Sequence, residues 1–252
     1  MEWHDVGLVL GTRRLGEADA LLEVMTLGHG RHLGVVKGGR SRRSAAALQI
    51  GNRLGLTWRA RLDEHLGHFS VEPLDARAAG LMHDAVALNG VQTLAAHLRL
   101  LPERDPHPEL FEALAGVLDH FAEPRLAAEL LVRFELAVID ALGFGLDLSV
   151  CALTGATADL AWVSPKSGRA ATREAGAPHA AKLLVLPAFL AAADDEPGCW
   201  GRAGWDDLAA GFRLSAHFLA RDVWEPRGLR PPESREAFIA AVARTLPERG
   251  GG

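Results

Sequence analysis

Apolar residues change their spacing once along this chain of 252 residues, near Pro73, and that change divides what it can fold into. Before it, "VGLVLGTRR", "ALLEVMTL", "RHLGVVKG", "NRLGLTWRAR" and "LGHFSVEP" alternate or cluster apolar residues between Gly-containing breaks, the pattern of short β-strands. Five such strands predict a small barrel over residues 1–74. "SAAALQ", between the third and fourth strands, has the composition of a helical turn. A helix at that point suits the five-stranded OB barrel, although an SH3-like barrel shares the strand pattern.

Beyond Pro73 the period is helical. Leu74, Ala78, Leu81, Ala85, Leu88, Ala95 and Leu98 share a face, which predicts one amphipathic helix over 75–101, ending before Pro102. "DPHP" opens a second helix carrying Leu110, Leu114, Leu118 and Phe121, and Pro124 separates it from a third over 125–142, apolar on nearly every side and stopped by Gly143 and Gly145. Residues 146–186 are rich in turn formers and read as irregular, and helices return over 205–223 and 235–246, before a frayed "ERGGG" tail. The expectation is an α+β chain: an OB-type barrel (1–74), a helical domain (75–145), an irregular insert (146–186) and C-terminal helices packing with the helical domain (187–252).

The charge is distributed unevenly. The chain carries a net charge of −5, yet residues 31–61 hold eight cations, Arg31, Lys37, Arg40, Arg42, Arg43, Arg53, Arg59 and Arg61, and no Asp or Glu. Cations that accumulate without carboxylates point to a polyanionic partner, nucleic acid first, because affinity for a polyanion follows the local field rather than the total. Within "KGGRSRR", Gly38 and Gly39 permit close backbone approach to a phosphate, Lys37 is a point charge, and Arg40, Arg42 and Arg43 are bidentate forks. Strand alternation puts Arg53, Arg59 and Arg61 on one face and Trp58 on the other, toward the core. Arginine outnumbers lysine 24 to 3, a bias that GC-rich coding also produces.

Catalytic and metal patterns are missing. Nothing fits GxxxxGK[ST], HExxH or GxSxG, and His65 and His68 lack a ligand set. Acid groups such as Asp63-Glu64, Asp194-Asp195-Glu196 and Asp206-Asp207 are adjacent, as in solvated turns and helix starts. Two cysteines, Cys151 and Cys199, are too few for a disulfide framework and too far apart for a knuckle, which suggests a reducing cytoplasm. "MEWHDV" lacks the features of an export signal, and "LLVLPAFLAAA" is too short to span a bilayer, so no membrane association is expected. An OB-type RNA-binding module, a protein adaptor and an enzyme on a phosphorylated small molecule share some of these features, but the last needs a general base that is not visible.

Three stretches together resemble the RecO family of bacterial recombination mediators. They are "GLVLGTRRLGEADALLEVMTLGHGRHLGVVKGGRSRRS", with its Gly16-Glu17-Ala18-Asp19 turn and its arginine loop, "RFELAVIDALGFGLDLSVC" over 133–151, and "VSPKSGRAATREAG". The likeness runs from about residue 5 to about residue 245. It implies an N-terminal OB domain and a helical domain with a partly zinc-bound insert. It also implies binding and annealing of single- and double-stranded DNA, contact with the C-terminal tail of single-stranded-DNA-binding protein, and partnership with RecR in loading RecA. No enzymatic activity and no cofactor are expected. Many members carry two CxxC pairs, whereas here Cys151 is followed by Thr154, and Thr172 and Ala175 stand at the second pair. One thiolate cannot hold a structural zinc, so the site is expected to be lost, the alternative being a rescued site that uses His179. Arg133 has two readings: an intrahelical pair with Glu129 four residues earlier, or, from the resemblance, the basic residue that receives the acidic tail.

Overall fold

The first strand is long enough to serve two neighbours. In the computed structural model, which describes residues 1–62, 64–191 and 200–246, β1 (Glu2–Leu15) pairs through residues 2–8 with β4 (Arg53–Arg59) and through residues 7–15 with β2 (Asp19–Thr26). A register shift between Val9 and Gly11 marks a bulge, the irregularity that bends a strand around a barrel. β2 runs antiparallel into β3 (Gly30–Val36), and β3 meets β5 (His68–Asp75) in parallel at Val35 and His68, closing the order β1-β2-β3-β5-β4. This is the five-stranded OB-type arrangement that the sequence pattern predicts.

Along β4, Leu54, Leu56 and Trp58 are buried while Arg53, Thr57 and Arg59 alternate outward, so Trp58 belongs to the core. It packs with Leu22, Val24 and Phe69, and Leu48, just after the short helix α1 (Arg42–Ala47), enters the same cluster. The buried Asn52 side chain ties this helix down, donating to the carbonyls of Ala46 and Ala47 at 3.0 and 3.1 Å, groups that a helix end leaves without partners.

The single helix expected over 75–101 is two. α2 (Ala78–Leu81) stops, Asp84 turns extended, and its carboxylate accepts the amides of Val86 and Ala87 to begin α3 (Ala85–Leu98). An Asp in the N-cap position stabilises a fresh helix start, and the apolar periodicity does not register such a break. Leu74 falls on β5 and is exposed, not on a helix face. Residues Met1–Asp119 form one compact unit and His120–Gly252 the other. The first unit holds α2, α3 and α4 (Pro108–Asp119) together with the barrel. Glu23 on β2 is one reason: it is 7% exposed and receives both Arg31 (2.9 Å) and Arg99 (2.8 Å), and Arg99 follows directly on α3.

In the second unit α5 (Pro124–Ala141) is buried on most of its surface, as its apolar sequence predicts. The insert over 146–186 is not irregular. It holds β6 (Leu160–Val163), β7 (Ala170–Thr172) and β8 (Leu184–Val185) in a sheet of order β7-β6-β8, with α6 (Arg173–Gly176) and a 3-10 turn after it. Strands of two to four residues are too short to show a period of two in the sequence. Next come α7 (Trp205–Leu219), prolonged by a π-helical stretch to Trp224, and α8 (Glu233–Thr245). The expected "ERGGG" fraying, Cys199, and the acids at 63 and 194–196 lie outside the described residues. Among those described, no helix is long and apolar enough to cross a membrane.

Candidate nucleic-acid interface

The "KGGRSRR" loop is held by its own backbone path. Gly38 has φ +63°, a left-handed conformation that favours glycine, and the Asp19 carboxylate accepts its amide at 2.8 Å. Gly39 lies so close to β2 that a Cβ would stand 2.7 Å from Ala20 Cβ and 2.9 Å from the Val36 carbonyl. Gly38 is therefore favoured by the loop's backbone conformation and Gly39 by its packing on the barrel, independently of any phosphate. Arg40 donates to the carbonyls of Gly16 and Glu17, fixing the loop to the β1–β2 turn. Ser41 caps α1, whose first residues are Arg42 and Arg43. Both arginines and Lys37 are exposed, and no ion pair engages any of the three among the described residues.

The other cations are distributed differently from what the linear strip suggests. Arg31 is a structural residue: its side chain is 13% exposed, donates to Glu23 and to the Leu101 carbonyl, and sits 3.7 Å from Glu103. Arg53 and Arg59 share a strand face but lie at its two ends, about 20 Å apart at the usual rise. Arg53 is half-buried opposite Asp75, whereas Arg59 is exposed and pairs with Glu2 at 2.9 Å. That hydrogen bond holds Arg59 above and Glu2 below their ordinary pKa values. Arg61 is exposed just beyond β4. Lys37, Arg59, Ser44 and His68 line one depression of about 520 Å³. Arg40 lines a second, of about 410 Å³, together with Arg13 and Arg14, which the sequence reading passed over because they lie outside the acid-free stretch.

In the second unit Arg133 is half-buried. Its guanidinium donates to the Phe189 carbonyl and lies over the Trp200 ring, 5.4 Å from the centroid. The Glu129 carboxylate, the intrahelical partner in one of the two readings of Arg133, accepts the amides of Gly201 and Ala203, each at 2.7 Å. Its partners come from more than seventy positions away, so the i,i+4 spacing carried no sign of them.

Residues 1–77 match the family described as Recombination protein O N terminal, and residues 84–231 match Recombination protein O C terminal. The chain is 62% identical over 248 residues to the DNA repair protein RecO of Chelativorans sp. (strain BNC1), covering 98% of each. It is 55% identical over 246 residues to that of Brucella abortus (strain 2308), again covering 98% of each. It is also 55% identical over 244 residues to that of Mesorhizobium japonicum, covering 97% of this chain and 94% of the relative. The chain belongs to the RecO family. It is thereby a member of a family of DNA repair and recombination proteins.

The donor set that the resemblance implied for the insert is reduced to one cysteine. The buried Cys151 Sγ accepts the Thr172 amide at 3.3 Å and lies 3.9 Å from the Thr172 hydroxyl. The Thr154 hydroxyl, then the backbone amides of Thr172, Leu153 and Thr154, lower the thiol pKa to about 6. One sulfur surrounded by hydroxyls and amides does not fit a tetrahedral zinc site. Among the described residues no three His, Cys, Asp or Glu side chains gather as metal ligands, and His179 is exposed on the 3-10 turn. Hydrogen bonds and the three-stranded sheet hold this segment together.

Proposed function

We propose that this chain is a non-enzymatic recombination mediator of the cytoplasm that binds single- and double-stranded DNA through its barrel and promotes strand annealing. The observation that carries the reading is the group Lys37, Arg42 and Arg43, exposed and without carboxylate partners among the described residues, on the loop and the first turn of α1, whose path is fixed by Asp19 and Arg40. Such cations neutralise phosphates on two strands at once and release counterions, without needing base contacts. Arg59 and Arg61 extend the surface, while Arg31 and Arg53 support the barrel. Binding to labelled single strands, duplex and RNA in parallel, as a function of salt, tests the reading. Affinity is expected to fall linearly on a log-log salt plot, by about 0.7 per phosphate contact for single strands and about 0.9 for duplex, with little dependence on base sequence. A flat salt dependence favours a protein adaptor, and a strong preference for RNA favours readout of the 2′-hydroxyl.

The second unit is assigned the protein partners: the C-terminal tail of single-stranded-DNA-binding protein at Arg133, and RecR, through which RecA is loaded. Support for the tail site is a half-buried guanidinium beside Trp200 and Phe189, charge and apolar surface together, as an acidic and apolar peptide requires. Arg133→Ala is expected to weaken binding of the tail peptide roughly tenfold by calorimetry, the scale of one charge-assisted hydrogen bond. Unchanged affinity in a variant with parental thermal stability would leave Arg133 a structural residue only, holding the Phe189 carbonyl.

A further inference from the structure

α1 stands as a ridge between the two cationic depressions. Ser44 lines the one with Lys37, Arg59 and His68, whereas Ala45, the next residue round the helix, lines the one with Arg13, Arg14 and Arg40, and the buried Leu48 beneath them anchors the helix to the barrel core. Arg42 and Arg43 are exposed at the start of the ridge. Arg13 and Arg14 are likewise exposed, and neither forms an ion pair among the described residues. They sit at the end of β1, directly before the turn whose Gly16 and Glu17 carbonyls hold Arg40. The hairpin end and the loop are therefore tied together, and Arg13, Arg14 and Arg40 are brought to one flank of the ridge before any ligand arrives.

We infer that a single DNA strand crosses over α1, seating backbone phosphates in both depressions, and that Arg13 and Arg14 are its contacts on the β1 side. This rests on the nucleic-acid reading of the barrel and names the path and the form of the ligand. The argument for a single strand is mechanical. Duplex DNA has a persistence length of about 50 nm and behaves as a rod over the width of one helix, about 10–12 Å. A rod meets the ridge and one flank, whereas a flexible strand descends on both sides. A strand that must clear the ridge reaches both depressions only when it is several nucleotides long, inside the range of about 4–16 nucleotides for one OB fold.

The test is the Arg13→Gln/Arg14→Gln variant of the full chain, measured by fluorescence anisotropy with oligothymidylates of increasing length and with a duplex, over a salt series. The Arg13→Lys/Arg14→Lys variant and the Lys37→Gln/Arg42→Gln/Arg43→Gln variant are measured beside it. The Gln pair is expected to flatten the single-strand log-log salt slope by about 1.4, two contacts at about 0.7 each. It is also expected to shorten the length at which affinity stops rising and to leave duplex binding unchanged. The Lys pair keeps the point charges and is expected to restore the slope. A single-strand slope equal to the parent's, while the Lys37/Arg42/Arg43 variant loses binding, overturns the crossing path alone. Equal losses on single strands and duplex also overturn it, because the two arginines then contact any phosphate. If neither Gln variant alters binding, the nucleic-acid reading of the barrel fails with it.

Discussion

Lys37→Glu/Arg42→Glu/Arg43→Glu is expected to remove measurable DNA binding and annealing at physiological salt while the barrel stays folded. All three side chains are exposed and unpaired among the described residues, and exposed substitutions of this kind usually change stability by no more than about 0.5 kcal/mol. Replacing the three with Ala removes their phosphate contacts without adding repulsion, and should flatten the single-strand salt slope by about 2, at about 0.7 per contact. Charge reversal adds repulsion from every neighbouring phosphate and should abolish binding rather than weaken it. Arg40 is left out deliberately: it donates to the Gly16 and Glu17 carbonyls, so a glutamate there would detach the loop and confuse folding with binding. Parental circular dichroism and thermal unfolding, with DNA binding retained at the same salt, would place the DNA site elsewhere.

The largest stability effect is expected at Arg235, in the second unit. It is 2% exposed on α8, donates to both oxygens of the fully buried Glu135 at 2.7 and 3.0 Å, and also reaches the Phe212 carbonyl and Ser215. Burial alone would lower its pKa, but the Glu135 carboxylate outweighs this and holds it above the ordinary value. Arg235→Ala leaves the Glu135 carboxylate without its counter-ion in the interior, a change that costs about 3–5 kcal/mol. Chemical denaturation should show the loss in the transition of the second unit. Glu135→Leu/Arg235→Leu should recover much of it, because apolar replacement of a whole buried pair is often neutral or stabilising. If Arg235→Ala unfolds at the parental denaturant concentration, the pair does not join α5 to α8 in solution.

Much of the fold was legible because its signals are local. The switch from a period of two to a helical period at Pro73 places the barrel, and alternation along β4 assigns Trp58 to the core and Arg59 to the surface. Where the reading failed, a competing short-range effect was responsible: capping by Asp84 split one apolar stripe into two helices, and strands of two to four residues in the insert left no period to detect. That only one cysteine, Cys151, stands among positions 151, 154, 172 and 175 was equally visible, since residue type at fixed spacing is written in the sequence. Threonine hydrogen-bonding to a remaining sulfur is not.

The candidate site divides in the same way. Sequence alone determined that a cationic loop follows the third strand, that no recognisable catalytic or nucleotide-hydrolysing pattern accompanies it, and that three stretches resemble RecO. Only the tertiary structure decided which cations remain unpaired. Two cations of the acid-free run over 31–61 are neutralised from outside it: Glu23 on β2 receives Arg31, and Glu2, 57 positions from Arg59, pairs with it across two strands. Conversely, Arg13 and Arg14 join Arg40 only because β1 extends alongside the turn that holds the loop. Charge complementarity acts through space over a few ångströms, whereas composition is read along the chain, and a closed barrel brings together residues that the sequence keeps dozens of positions apart.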